Sequence, residues 1–339
     1  MQSHRLKFYH QNGLNSSCFS VSSSLALGRL FGAKALLILG LSVLSSCQSS
    51  ETSQILTQVK NEATSGQARQ VIAGPLKPFK DKKFAYRQAL EIAQSGDYLR
   101  APYDEQFDIN KRDELPVRKV RESYIKRFSS EQIKELSYKG GAHAMLGVGN
   151  VDTPSTMTVI YLHGRNGNKT WGFDDERFGG NFNRVKNLMV ENGGAYLSPD
   201  FTDFEAKGTA DIVSLLKQQR KTNEGKLVLA CGSLGSQICW KIMNSKNASL
   251  IDGLILLGGM RSESFEARAA KAKKIPIYIA HGTRDKTFKA VEIARMYQNL
   301  HAKNYPVRLT LFETGNHGTP VRMIDWRQAL NWIASKSSR

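Results

Sequence analysis

From about residue 135 onward, short apolar runs alternate with longer stretches in which apolar residues recur every three or four positions. The runs cover 156–162, 194–199, 226–230, 251–258, 275–280 and 307–312. Near-continuous apolarity over five to eight residues predicts strands buried on both faces. The intervening segments 183–191, 210–219, 234–243, 289–300 and 321–334 carry the spacing of amphipathic helices. Strand and helix in alternation predict a mostly parallel sheet covered by helices on both faces. Ahead of these, residues 136–148 contain Gly140-Gly141 between two apolar arms and predict an antiparallel hairpin.

The pattern is less regular before residue 135. Residues 84–93 have apolar positions at helical spacing, and 117–128 mix bases with apolar residues, so both predict helices. Between them 98–116 holds Pro102, Pro116 and several acids, and predicts a loop. At the amino terminus, residues 1–34 contain Arg5, Lys7, Arg29 and Lys34 with no acid, followed by an apolar run over 35–44. Ten residues are too few to span a bilayer as a helix and suit the apolar region of a signal peptide. The run ends Leu44-Ser45-Ser46-Cys47, which resembles a bacterial lipobox. That resemblance implies lipidation of Cys47 as the first mature residue. With Gln48 rather than an aspartate after it, it also implies the outer membrane, periplasmic side. The polar residues 48–54 then read as a flexible tether. The expected organisation is a signal peptide over 1–46, a tether over 47–80, a helical extension over 81–134 and an α/β domain over 135–339.

Candidate chemistry gathers at the carboxyl ends of the predicted strands. Ser233 lies in Cys231-Gly232-Ser233-Leu234-Gly235, between an apolar run and a helical stretch. A serine on a tight strand-to-helix turn is lifted above the sheet edge, and a backbone N–H at the start of the next helix can meet an oxyanion there. Small residues are needed two positions either side. Gly235 meets that need, and Cys231 stands where glycine is usual. Asp285 closes the strand and turn over 275–285, and His317 follows the last strand in Glu313-Thr314-Gly315-Asn316-His317-Gly318. Upstream, 156–162 runs into His163-Gly164-Arg165-Asn166-Gly167-Asn168.

Nucleophile, acid and base in the order Ser, Asp, His, preceded by a His-Gly loop, are similar to the esterases and lipases of the α/β-hydrolase superfamily. The resemblance covers roughly 135–339. It implies an α/β-hydrolase fold and a triad of Ser233, His317 and Asp285. It also implies an oxyanion hole made by the N–H of Leu234 with that of Arg165 or Asn166. The activity implied is hydrolysis of a carboxylic ester, or of a related thioester or peptide bond, through an acyl-enzyme and without a cofactor. Little more than 261–274 separates two predicted strands at the place where lipases insert a lid, so no large lid domain is expected. An open site of this kind suits short or medium acyl esters or lysophospholipids.

Other residues compete for these roles. Glu313 and Asp252 are the other candidate acids, but Asp252 begins its strand and so falls at the opposite end of the sheet. His163 and His281 precede glycines and read as loop-shaping residues, His143 belongs to an early strand and His301 to a surface helix. Asp200 and Asp203 follow a strand on the same edge and read as loop structure.

Composition narrows the partners. The formal charge of +18 divides into +4 over 1–46, +4 over 47–150 and +10 over 151–339. A basic hydrolase portion fits an anionic membrane surface or substrate, or a generally basic proteome. No motif points to nucleic acid, and no spacing of histidines, cysteines and acids points to a metal. Of four cysteines, Cys18 leaves with the signal and Cys47 takes lipid. Cys231 ends a strand and Cys239 lies on the next helix, so a disulfide between them is not expected. The rival to an enzyme is a catalytically silent scaffold that binds a partner in the envelope.

Overall fold

A computed structural model of the chain describes residues 74–114 and 119–337. The expected signal peptide, Cys47 and most of the expected tether lie outside the described residues. The elements begin with α1 (Asp81–Phe84), β1 (Glu91–Ala93), β2 (Tyr98–Pro102), α2 (Glu105–Arg112), β3 (Asp113–Glu114) and β4 (Lys119–Val120). Next come β5 (Lys134–Tyr138), β6 (His143–Gly149), β7 (Met157–Leu162), α3 (Asn181–Glu191), β8 (Ala195–Pro199), α4 (Ala206–Thr222) and β9 (Lys226–Gly232). The remainder are α5 (Gly235–Met243), β10 (Gly253–Leu257), α6 (Glu263–Arg268), β11 (Ile277–Gly282), α7 (Ala290–Ala302), β12 (Val307–Glu313), α8 (Thr319–Met323) and α9 (Trp326–Lys336).

Ten of these strands form one sheet in the order β1-β2-β12-β11-β10-β9-β7-β8-β6-β5. It is parallel from β2 to β8, with antiparallel β6 and β5 at one margin and antiparallel β1 at the other. Side chains along a strand point alternately to opposite faces, so each apolar strand feeds two cores. In β9, Leu227, Leu229 and Cys231 enter one core with residues of α4, α5, α6 and α7. Val228 and Ala230 enter the other, packed by α3, α8 and α9. This doubly covered sheet is what the apolar runs predicted, and the Gly140-Gly141 turn joins β5 to β6 as expected.

The segment before residue 135 differs from the helical extension its spacing suggested. Residues 91–93 and 98–102 are strands, not parts of a helix and a loop. β2 lies parallel against β12, from Leu309 opposite Tyr98 to Glu313 opposite Pro102. Without it the last strand would present an unpaired row of N–H and C=O groups, and pairing that edge outweighs a weak local helical preference. The loop expected over 98–116 also holds α2, started by Asp104, whose carboxylate accepts from the Phe107 N–H at 2.6 Å. Residues 119–128 form no α-helix. Their backbone is held instead by α3: Asn183 accepts from Lys126 N at 2.9 Å, and the Asn183 and Asn187 amides donate to Lys126 O. The predicted helix 321–334 divides into α8 and α9 because Asp325 caps the second helix through Gln328 N and pairs with the buried Arg184 at 3.0 Å.

Candidate active site

Ser233 sits at the turn between β9 and α5 with φ of 49°, a left-handed conformation that a non-glycine residue rarely adopts. The neighbours hold it there. Its N–H donates to Leu257 O at 3.0 Å, and the Ser236 hydroxyl donates to its carbonyl at 2.6 Å. A Cβ on residue 235 would come within 2.7 Å of His163 O and 2.8 Å of Leu162 O, so only glycine lets α5 leave so close to β7.

Loops after β11 and β12 deliver the partners. His317 Nε2 lies 2.8 Å from Ser233 Oγ, and His317 Nδ1 lies 2.7 Å from Asp285 Oδ2. A buried carboxylate is an acceptor only, so it keeps the proton on Nδ1 and leaves Nε2 with a lone pair to accept the serine proton. Burial opposes ionisation of Asp285. Donation from His317, and from the N–H groups of Phe288 and Thr287, outweighs it and holds the carboxyl below the ordinary aspartate value. The Oδ1 bonds to Thr287 N (2.7 Å) and Phe288 N (3.0 Å) show that Asp285 also shapes its own turn.

Of the residues considered for the oxyanion hole, Arg165 and Leu234 line the same cavity as Ser233. Neither backbone N–H has an acceptor among the described residues. Asn166, the alternative donor, has φ of 61° and is not part of the cavity wall. The competing acids are engaged elsewhere. Glu313 pairs with Arg100 at 3.0 Å, and Asp252 binds Arg220 and the Leu227 N–H at the far end of the sheet. The His163 ring stacks on Phe201 with centroids 4.3 Å apart, and its Nδ1 contacts Gly164 O. His281 is fully buried and donates from Nε2 to Phe288 O at 2.8 Å, and burial lowers its pKa. Asp200 accepts from Lys169, and Asp203 from the N–H groups of Glu205 and Gly208, so both hold loops.

One sequence expectation is reversed. Cys231 and Cys239 are joined by a disulfide, with Cα atoms 6.6 Å apart. The elbow folds α5 back along β9, which brings a residue in its second turn over the end of the strand, within the span a disulfide bridges. Cys231 is fully buried at the position where this motif usually has glycine, and its side chain points into the core shared with α5.

The cavity beside Ser233 has a volume of about 470 Å³ and is walled mainly by Tyr161, Trp171, Phe178, Leu257, Phe288 and Val321. Sequence reasoning missed this wall. Its one visible trace was a set of aromatic residues stranded in the polar segment after the His-Gly pair. Trp171 is held by Arg177, whose guanidinium lies 4.7 Å from its ring, and Phe178 by the edge of Phe182. Among the described residues the six-residue α6 and the single 3-10 turn Ala269–Lys271 are the only helices between β10 and β11, so that junction carries no lid domain. The His317 side chain is 32% exposed.

Residues 191–323 match the dienelactone hydrolase family, and this span contains Ser233, Asp285 and His317. The chain has the α/β-hydrolase fold. Among solved structures it is similar to an esterase of Pyrococcus furiosus, at 13% identity over 63% of this chain and 95% of that one, with a TM-score of 0.48. It is also similar to a ferulic acid esterase of the anaerobic fungus Anaeromyces mucronatus, at 13% identity over 65% and 96%, TM-score 0.46. A third is an α/β serine hydrolase homologue of Coxiella burnetii, at 13% identity over 62% and 99%, TM-score 0.44. No curated relative matches the chain.

Proposed function

We propose that this α/β-hydrolase-fold protein is a serine hydrolase that cleaves carboxylic esters through an acyl-enzyme. The observation that carries the reading is the chain of two short hydrogen bonds from Asp285 through His317 to a serine held in a strained turn at a cavity wall. Ser233 Oγ attacks the ester carbonyl as its proton passes to His317 Nε2, and Asp285 stabilises the imidazolium that forms. The tetrahedral oxyanion accepts from the N–H groups of Leu234 and Arg165, two cavity-lining residues whose N–H groups have no acceptor among the described residues. His317 then protonates the departing alkoxide. Water, deprotonated by the same imidazole, releases the acid and restores Ser233. A cavity of about 470 Å³ with an apolar wall suits short or medium acyl esters or lysophospholipids.

Steady-state turnover of p-nitrophenyl acetate and butyrate tests this directly. Release of p-nitrophenol should stop in proportion to labelling by a fluorophosphonate. Turnover that survives complete labelling, or no turnover together with no labelling, contradicts the proposal.

The proposal extends to location. The basic amino terminus, the ten-residue apolar run and Leu44-Ser45-Ser46-Cys47 support attachment to the envelope by a lipid on Cys47, on the periplasmic face of the outer membrane. Among the described residues no helix is long and apolar enough to cross a membrane. Cys47→Ala should move the protein from the sedimenting membrane fraction to the soluble one. Unchanged sedimentation after a carbonate wash would remove the lipid anchor from the account.

A further inference from the structure

Tyr161 is the last but one residue of β7 and lines the cavity beside Ser233, yet its phenol has no hydrogen-bond partner among the described residues. The residue is 3% exposed, and burial raises its pKa, so the hydroxyl stays protonated as a donor. The ring is wedged in place. Phe182 meets it edge-on with centroids 4.7 Å apart, and a Cβ on residue 172 would fall 2.3 Å from its Cδ1. The oxygen lies against the backbone just before the nucleophile, since a Cβ on residue 232 would sit within 2.4 Å of it. A phenylalanine would fill the same space without a polar atom. The structure therefore holds a rigid, buried hydroxyl beside residue 232, next to Ser233, on a residue that lines the cavity at the nucleophile.

The order of strands says which part of the substrate meets it. β9 lies between β10 and β7, and the loops bearing Asp285 and His317 follow β11 and β12 on the β10 side. His317 must protonate the leaving oxygen, so the leaving group lies on that side, where the imidazole is partly exposed. The carbonyl oxygen takes the place beside the N–H groups of Leu234 and Arg165, which leaves the acyl group the remaining direction, into the cavity walled by Tyr161, Trp171 and Phe178. We propose that Tyr161 donates a hydrogen bond to an oxygen carried by the acyl chain, so that the preferred substrates are esters of ether-, hydroxy- or keto-substituted carboxylic acids rather than of plain hydrocarbon acids. This rests on the serine hydrolase reading above.

The test compares Tyr161→Phe with the wild type on two matched pairs of p-nitrophenyl esters: methoxyacetate with butyrate, and 3-methoxypropionate with pentanoate. Each pair differs by one oxygen in place of a methylene, and differences in intrinsic reactivity cancel in the ratio of wild type to variant. The variant should lose about 10-fold in kcat/KM on at least one methoxy ester, the loss expected for one hydrogen bond, and change less than about 2-fold on both hydrocarbon esters. Its fluorophosphonate labelling rate should match the wild type, which shows that fold and triad are intact. An equal loss on all four esters, or no loss on any, overturns the assignment while leaving the hydrolase standing. Absence of turnover and of labelling in the wild type removes both.

Discussion

Ser233→Ala lowers kcat/KM toward p-nitrophenyl esters by about 10⁴-fold or more and leaves the thermal midpoint within about 1 °C of the wild type. The size of the effect follows from what Ser233 does in the site. In the proposed mechanism its Oγ bonds to the acyl carbon, and alanine offers His317 no proton to take. Residual turnover would come from water activated by His317 beside the N–H groups of Leu234 and Arg165. The unchanged midpoint follows from the local geometry. Alanine meets the left-handed backbone at 49° on nearly the same terms as serine, and the bond from residue 233 N–H to Leu257 O does not involve the side chain. Steady-state kinetics with thermal unfolding followed by circular dichroism checks both halves. A loss below about tenfold would mean that another residue carries the acyl group.

Asp285→Asn costs about 10⁴-fold in kcat while leaving KM close to the wild-type value. An amide nitrogen facing His317 would donate where the carboxylate now accepts, turning the imidazole to the tautomer with the proton on Nε2. Nε2 could not then accept from Ser233, although all three side chains would remain in place. The dependence on pH gives an independent sign. Asp285 titrates below the ordinary aspartate value in the folded protein. Its stabilising contribution is therefore complete above the unfolded value and is lost as pH falls through the lower folded one. The wild type should show that acid loss of stability in urea titrations at successive pH values, and Asp285→Asn should lack it. A variant that retains more than about a tenth of wild-type kcat would mean that Asp285 shapes its turn through Thr287 and Phe288 without orienting the base.

The core and the catalytic edge were legible in the sequence because both depend on local pattern. Strands β7 to β12 are mostly apolar and buried on both faces, as the run from Leu227 to Cys231 illustrates. Ser233, Asp285 and His317 each follow such a strand directly, so chain order alone brought them to one rim. The segment before residue 135 was not legible for the opposite reason. Tyr98 to Pro102 becomes a strand only because β12 has an open edge two hundred residues away, and nothing within the segment announces that partner. The disulfide was missed on similar grounds. Its cysteines are eight positions apart, and only the sharpness of the turn at Ser233 makes α5 double back far enough to join them. Tyr161 was read simply as a strand residue. Its place in the cavity wall depends on Gly172 and Phe182, which crowd its ring, and on Gly232, which leaves room for its oxygen.

The claim on which the mechanism stands is that Ser233 becomes acylated during turnover. Rapid acid quench of the full-length protein with p-nitrophenyl acetate, followed by peptide mass spectrometry, tests it most directly. The account predicts one acetyl group on the peptide containing Ser233, formed in the first turnover and absent from Ser233→Ala. Acetylation of a different residue that keeps pace with turnover, or turnover with no acyl adduct under conditions where deacylation is slowed at low pH, would contradict it.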